Sequence, residues 1–295
     1  MKMLGTADLH VHSKKWDNLR STCEALEPEI VLVAGDLLPK MDGIKGELRF
    51  LPSMKKRLKE FKKMGCKFVT LLGNDDNQLA IETMEEWHAE GLLYHVHNRV
   101  VEINGYEFAG LSFVPDHPFG YKYWSRKEYK DVLRIDPEQR SKPLIMNKDN
   151  EFETIPDYEA FLQERESIFD LLTDLSKKVK DIKKSIWLIH SPPVGLGLDV
   201  CQDGRKVGSM AVRDFIDQVQ PFFTIHGHIH ESPQVSGRWF NTIGKTLCIQ
   251  TGQPYEPFYY AKIDVEETRV RAVHPTMPSE VEWDGVSLYG LAGWQ

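Results

Sequence analysis

Short runs of apolar, often β-branched residues alternate with helical patterns along the first part of the chain. Strands are predicted for five such runs, at residues 3–7, 30–34, 67–72, 185–189 and 222–225. Between the early runs, apolar residues recur at helical spacing, which predicts helices over residues 14–26 and 51–64. Strands that alternate with helices are typical of βαβ units, and such units build a parallel sheet.

A second, antiparallel component is predicted from the middle and the end of the chain. The dipeptide Asn104-Gly105 separates strand-like runs at residues 100–103 and 106–109 and favours a type I′ hairpin turn. Further strands are predicted at residues 246–250, 258–265 and 269–274. We therefore expect an α/β protein with two mixed sheets packed face to face and helices outside. Residues 1–295 contain no internal repeat, and we expect them to form one domain.

The stretch from Pro115 to Pro156 differs from the rest of the chain. It is long and lacks clear periodicity, and its aromatic residues stand among lysines and arginines: Phe119, Tyr121, Tyr123, Trp124 and Tyr129. A loop of this length inside a compact domain is usually functional or mobile. We therefore weigh two interpretations of residues 115–156, a cap over a functional site and a plain surface insert.

Composition and charge narrow the class of protein. The 295 residues are 41% hydrophobic and 27% charged, which excludes a disordered chain or a fibre. The net charge of −7 argues against a general nucleic-acid coat, so an anionic substrate has to be attracted locally. The four cysteines lack the spacing of a zinc or redox site. No apolar run approaches the ~18 residues of a membrane span, and we expect a cytoplasmic protein with no membrane partner.

Polar residues that can carry chemistry stand where predicted strands end. They are Asp8 and His10 after the first strand, Asp36 after the second, Asn74 and Asp75 after the third, His190 after the fourth, and His228 and His230 after the fifth. The carboxyl ends of parallel strands border the ligand crevice of an open α/β sheet, so these groups can converge. If the chain stays extended, alternation also points Asp8 and His10 to the same side. Any single histidine could be purely structural, but the ordered set is hard to explain in that way.

These side chains are of the kind that binds metal ions. Carboxylates, neutral imidazoles and an amide carbonyl suit Mn, Fe or Zn, whereas a thiolate site is excluded by the cysteine positions. Seven such groups are too many for one ion. If one carboxylate bridges, they can give four ligands to each of two ions, and two ions ~3.5–4 Å apart activate a water for phosphoryl displacement.

The ordered pattern Asp-x-His, Gly-Asp, Gly-Asn, His, Gly-His-x-His resembles the calcineurin-like metallophosphoesterase superfamily, from Asp8 to His230. Residues 190–193, 207–209 and 227–232 look similar to a small bacterial and archaeal group of phosphoesterases within it. The resemblance implies a four-layer α/β/β/α sandwich. It also implies that two metal ions, divalent or one of them trivalent, are bound by Asp8, His10 and His230 and by Asn74, His190 and His228, with Asp36 as the bridge.

One position departs from the family pattern, because Asp75 stands where the family has a histidine that contacts phosphate and protonates the leaving oxygen. Three explanations remain open, in order of preference: Asp75 points away, Asp75 is protonated and acts as the acid, or the substrate has a good leaving group. His12, on the same side as His10 in an extended chain, could supply the acid instead.

The leading hypothesis is a dinuclear metal-dependent phosphoesterase that hydrolyses a small phosphomonoester or phosphodiester, with a metal-bridging hydroxide as the nucleophile and Asp36 orienting the bridge. One alternative is a non-catalytic scaffold that keeps the fold and binds protein partners. Another is a nuclease, which needs a basic track for a nucleic-acid strand and is disfavoured by the net charge of −7. A homo-oligomer is compatible with the sequence.

Overall fold

Two large sheets dominate the computed structural model, which describes residues 1–40, 42–138, 140–267, 269–277, 279–285 and 288–289. The strands are β1 (Lys2–Thr6), β2 (Ile30–Ala34), β3 (Lys67–Leu71), β4 (Tyr94–His95), β5 (Val100–Ile103), β6 (Tyr106–Leu111), β7 (Leu144–Met146), β8 (Phe152–Thr154), β9 (Ser185–Ile189), β10 (Phe223–His226), β11 (Phe240–Ile243), β12 (Thr246–Gln250), β13 (Ala261–Glu266), β14 (Arg269–Val273), β15 (Glu280–Trp283) and β16 (Leu288–Tyr289). The α-helices are α1 (Lys14–Leu26), α2 (Leu51–Lys63), α3 (Ala80–Ala89), α4 (Tyr158–Gln163), α5 (Ile168–Ser176), α6 (Met210–Val219) and α7 (Ser232–Ser236).

Both large sheets are mixed: one half of the first sheet is parallel and the other half antiparallel, whereas the second sheet has a parallel centre and antiparallel edges. In the first sheet the order is β16-β15-β14-β13-β1-β2-β3-β4, with β1 to β4 parallel and β13 to β16 antiparallel. In the second sheet the order is β11-β12-β10-β9-β6-β5, and β6, β9, β10 and β12 run parallel. The parallel strands of both sheets therefore bring several strand ends to a common edge.

The central strands are apolar without interruption because both of their faces are covered. In β2, Ile30 and Leu32 belong to a core between the two sheets, whereas Val31 and Val33 belong to a core on the helical side. A strand with two buried faces loses the apolar–polar alternation of an exposed sheet. The second sheet follows the same rule, since β9 alternates between the same two cores.

Helices cover the outer face of each sheet. Trp16 of α1 stacks on Phe68 of β3, and Phe61 of α2 packs on the same ring, which places both helices on the first sheet. Phe215 of α6 packs on Trp187 of β9 and covers the second sheet. The predicted α/β class and the four-layer α/β/β/α sandwich are confirmed.

Most predicted elements agree with the observed bounds, but the strand predicted at 258–265 begins only at Ala261. The backbone N–H of Tyr259 donates to Oε1 of Gln253 at 3.0 Å and is therefore used outside the sheet. In residues 115–156 the only strands within the described part are β7 and β8, which pair as a separate two-stranded sheet. None of the described helices is long and apolar enough to cross a membrane.

Candidate metal centre

Five loops that follow parallel strands bring the predicted ligands to one place. Asp8 follows β1, Asp36 follows β2, Asn74 follows β3, His190 follows β9 and His228 follows β10. All five side chains except that of His228 are almost completely buried. The two sheets therefore contribute to one site from their carboxyl ends, as the strand-end argument predicts.

The path of the chain after β1 differs from the predicted one. An extended segment after β1 would point Asp8, His10 and His12 to one side. The prediction of an extended segment is wrong, because Leu9–Val11 form a 3₁₀ turn and Asp8 has a left-handed backbone with φ 58°. Asp and Asn are among the few residues that visit this conformation readily. The backbone N–H groups of Asp8 and His10 donate to the carbonyls of Gly35 and Asp36, so the turn is fastened to the loop after β2.

The first group of side chains consists of Asp8, His10, Asp36 and His230, whose ligand atoms all lie within 4.8 Å of one another. The Nε2 atoms of His10 and His230 are 3.0 Å apart. Oδ2 of Asp8 is buried and has no hydrogen-bond partner among the described residues. Burial lowers the pKa of His10 to about 4, so its imidazole is neutral and can donate a lone pair. This donor set fits a divalent metal ion.

The second group consists of Asn74, His190 and His228. Oδ1 of Asn74 lies 2.9 Å from Nε2 of His190 and 2.5 Å from Nδ1 of His228. Nδ1 of His190 lies 2.7 Å from the carbonyl oxygen of Ala34 and donates its proton there, so Nε2 is left facing Asn74. Nε2 of His190 and Oδ1 of Asn74 are both acceptors, and two acceptors 2.9 Å apart need a cation between them, either a proton or a metal ion.

Electrostatics at His190 agree with that interpretation. Burial opposes the charged imidazole, but Asp36 and Asp8 outweigh it and raise the pKa of His190 to about 9. The two carboxylates thus make this position favourable for a positive charge, which a bound metal ion would supply.

Asp36 lies between the two groups. Its Oδ2 is 3.6 Å from Nε2 of His10 and 3.4 Å from Nε2 of His190. Its Oδ1 accepts the backbone N–H of Asp75 at 2.9 Å, which fixes the orientation of the carboxylate. Burial alone would raise the pKa of Asp36, but His190 and His10 outweigh burial and hold it well below the usual value. An ionised carboxylate in this position can be shared by both groups.

Comparison with known proteins agrees with this geometry. The family model of the calcineurin-like phosphoesterases matches residues 1–232, which include all seven clustered side chains. The chain belongs to the calcineurin-like phosphoesterases. This family consists of metal-dependent phosphoester hydrolases, so the general class of the protein is that of such a hydrolase. The narrower resemblance to a bacterial and archaeal group stays a prediction.

Solved structures show the same fold at low sequence identity. One crystal structure has a TM-score of 0.60 at 16% identity and covers 92% of this chain and 98% of the other. The protein TT1561 of Thermus thermophilus has a TM-score of 0.55 at 14% identity, over 92% of this chain and 97% of that protein. At these identities the likeness concerns the fold alone. No curated protein matches this chain significantly.

Asp75, which replaces the family histidine, faces the site. The preferred expectation that it points away is wrong, because its side chain lines the cavity in front of Asp36 and Asn74. Its Oδ2 accepts a hydrogen bond from Nζ of Lys40 at 2.6 Å, and its Oδ1 accepts one from Nδ2 of Asn74 at 3.2 Å. Lys40 carries no motif, and sequence reasoning missed it.

His12 does not join the cluster. Its Nδ1 accepts the backbone N–H of Lys14 at 3.0 Å, and its ring packs edge-on against Tyr255 with centroids 5.2 Å apart. It is not among the side chains that line the cavity. The expected role of His12 as the acid depended on an extended chain after His10, and the 3₁₀ turn removes that basis.

Sequence reasoning also missed Asp76, which holds the ligand loops together. Its carboxylate accepts the backbone N–H groups of Leu37, Leu38 and Gly73 at 2.8 to 3.0 Å. It therefore connects the loop after β2, which carries Asp36, to the loop after β3, which carries Asn74. Its place directly after Asn74-Asp75 was the available signal, but nothing in the sequence distinguishes a buried carboxylate from an exposed one.

A cavity of about 270 Å³ opens in front of the cluster, and residues 115–156 form part of its wall. The side chains contributed by this stretch include His117, Phe119 and Arg140. Phe119 is 53% exposed, and the Arg140 guanidinium lies 5.7 Å from the centre of its ring.

Two other aromatic residues of the same stretch are part of the core instead. Trp124 and Tyr121 are buried, and Nε1 of Trp124 donates to the carbonyl of Asp76 at 2.7 Å. The hydroxyl of Tyr121 accepts the backbone N–H of Gln78 at 2.8 Å. The stretch thus supports the loop after β3 as well as lining the cavity, which the cap interpretation did not anticipate.

Proposed function

We propose that this protein hydrolyses a phosphomonoester or phosphodiester with two metal ions held in the cluster. The observation that carries the proposal is the arrangement around Oδ2 of Asp36, which lies 3.6 Å from His10 and 3.4 Å from His190. One carboxylate oxygen is thus within reach of two separate groups of metal-ligand atoms. This is the arrangement expected for a bridging ligand.

Each ion would have its own ligands. Asp8, His10 and His230 would hold the first ion, Asn74, His190 and His228 would hold the second, and Asp36 would serve both. Oxygen and imidazole ligands suit Mn, Fe or Zn. When bound, two such ions lower the pKa of a water and neutralise charge on both oxygens of an in-line displacement.

The chain's own contribution is to fix ligand orientation. The carbonyl of Ala34 holds His190 in the tautomer that presents Nε2, and the backbone N–H of Asp75 holds Asp36. Oδ1 of Asp8 accepts the backbone N–H of His228 at 3.0 Å, so a ligand from the first sheet is tied to one from the second. Partners behind metal ligands of this kind typically change metal affinity or activity ~10–100-fold when they are lost.

Protonation of the leaving group is the step for which this site is least well equipped. No imidazole stands at position 75, and His12 lies outside the cavity, so the usual proton donor is missing. General acid catalysis typically contributes ~10² to 10⁴-fold. We therefore expect esters whose leaving group needs no proton to be the best substrates.

The test is a screen of purified protein with Mn, Fe, Ni, Zn and Mg against an aryl phosphate and its diester. Turnover that disappears with a chelator and returns with one metal supports the proposal. Tight metal binding with no turnover on any ester contradicts it and favours the alternative of a non-catalytic scaffold.

A further inference from the structure

The carboxylate of Asp75 lies between a cation and a proposed metal ligand. Its Oδ2 is 2.6 Å from Nζ of Lys40 and 3.6 Å from Nδ1 of His10. The side chain of Asp75 lines the cavity and is 24% exposed, whereas that of Lys40 lies on its outer side and is 41% exposed.

The orientation of His10 turns Nδ1, and not Nε2, toward Asp75. Nε2 of His10 lies 3.0 Å from Nε2 of His230, on the side where an ion would be held. The proton of the neutral ring then belongs on Nδ1, which is buried and has no hydrogen-bond partner among the described residues. Oδ2 of Asp75 lies 3.6 Å from that nitrogen, which is close enough to attract its N–H electrostatically but longer than a hydrogen bond. Carboxylates behind a ligating histidine fix its tautomer and raise its basicity.

The negative charge of Asp75 would repel a bound phosphate, and the contact with Lys40 compensates for this charge. An isolated carboxylate ~5 Å from a bound phosphate, at an effective dielectric of ~20, weakens phosphate binding by roughly two decades. The ammonium of Lys40 donates directly to this carboxylate and cancels its charge. Burial alone would lower the pKa of Lys40, but Asp75 outweighs burial and raises it, so the ammonium keeps its proton.

We propose that Lys40 and Asp75 form a charge-compensated pair in the place of the family histidine. Asp75 is the positioning residue for His10, and Lys40 cancels the repulsion that Asp75 would otherwise exert on a phosphate. This inference rests on the proposed function, because it takes His10 as a metal ligand and a phosphate ester as the substrate.

The first arm of the test measures metal affinity by chelator competition with Mn²⁺ alone. Asp75→Asn should weaken the binding of one Mn²⁺, the ion held by His10, by ~10–100-fold, because His10 loses the carboxylate behind it. Lys40→Met keeps that carboxylate and should leave Mn²⁺ affinity near wild type. Unchanged affinity in Asp75→Asn overturns the positioning role of Asp75.

The second arm measures binding of inorganic phosphate by calorimetry at saturating Mn²⁺. Lys40→Met should weaken phosphate binding by about ten- to hundred-fold, since the Asp75 carboxylate is then uncompensated. Adding Asp75→Asn to Lys40→Met should restore most of the loss, and Lys40→Arg should bind phosphate nearly as well as wild type. A lysine with a merely structural role would not be rescued by removing its partner.

Lys180→Met is the matched control, because Lys180 forms an exposed ion pair with Glu102 at 3.1 Å and its loss changes the net charge by the same amount. Equal weakening in Lys180→Met and Lys40→Met, or no rescue in the double variant, overturns the compensation role. Failure of the proposed function is a different result: the wild-type protein would then show no metal-dependent turnover before any variant is made.

Discussion

A buried carboxyl group beneath the ligand loops should make stability depend on pH in a way that one substitution removes. Glu47 is completely buried, and its Oε2 accepts the backbone N–H of Asn77 at 2.8 Å. Its Oε1 has no hydrogen-bond partner among the described residues. Burial, and then the charge of the neighbouring Asp76, raise the pKa of Glu47 from 4.5 to about 10. The folded protein therefore keeps Glu47 protonated at neutral pH.

The sign and size of the effect follow from this shift. Between pH 4.5 and about pH 10 the unfolded chain loses the Glu47 proton and the folded chain does not. The stabilising contribution is therefore complete below the unfolded pKa and is lost as pH rises, at about 1.4 kcal/mol per pH unit. At pH 7 the loss amounts to roughly 3 kcal/mol, which is a large part of a typical free energy of unfolding.

The substitution Glu47→Gln keeps the size of the side chain and removes the proton equilibrium. Urea unfolding at pH 5, 7 and 9 should show that wild type loses stability with pH faster than Glu47→Gln, by about 1.4 kcal/mol per unit. Glu153→Gln, at an exposed position of β8, should run parallel to wild type. If the free energy of unfolding changes with pH equally in wild type and in Glu47→Gln, the predicted rise in the pKa of Glu47 is refuted.

Three further predictions concern the site itself. Asp36→Asn should lower the metal content below two ions per chain and remove almost all activity, because the shared ligand is lost. Elemental analysis and an activity assay check this, and normal metal content with full activity would contradict the bridging role of Asp36. Phe119→Ala should raise the KM for esters with an aromatic group about tenfold and leave the KM for alkyl esters unchanged, since stacking on an aromatic ring is worth ~1–3 kcal/mol. Equal changes in KM for both kinds of ester would contradict a stacking role for Phe119. Wild type should show a steep dependence of rate on leaving-group pKa, and Asp75→His should flatten it; similar rates for alkyl and nitrophenyl esters in wild type would show that an acid is already present.

The convergence of the ligands could be predicted because it depends on strand order and strand ends. An apolar run followed by Asp36 or His190 indicates where a parallel strand stops, and the edge of the sheet then brings such residues together. The side-chain type indicates the chemistry. Local pattern and fold topology are therefore enough to predict this part of the site.

The details that depend on a single turn or on a distant partner could not be predicted. The left-handed conformation of Asp8 redirects the chain and takes His12 out of the site. Lys40 reaches Asp75 across 35 positions of sequence, and no motif marks it. Tyr121 and Trp124 belong to the stretch that the sequence allows as a cap or as a surface insert, but burial against the loop after β3 makes them part of the core. In each case tertiary packing decides between conformations that the local sequence allows equally.

The central claim is that Asp36 is shared by two metal ions, and anomalous diffraction from crystals soaked in Mn²⁺ tests it most directly. We expect two peaks ~3.5–4 Å apart on either side of the Asp36 carboxylate, one beside His10 and His230 and one beside Asn74 and His190. A single peak in an active crystal form, or two peaks that do not share Asp36, would contradict the account.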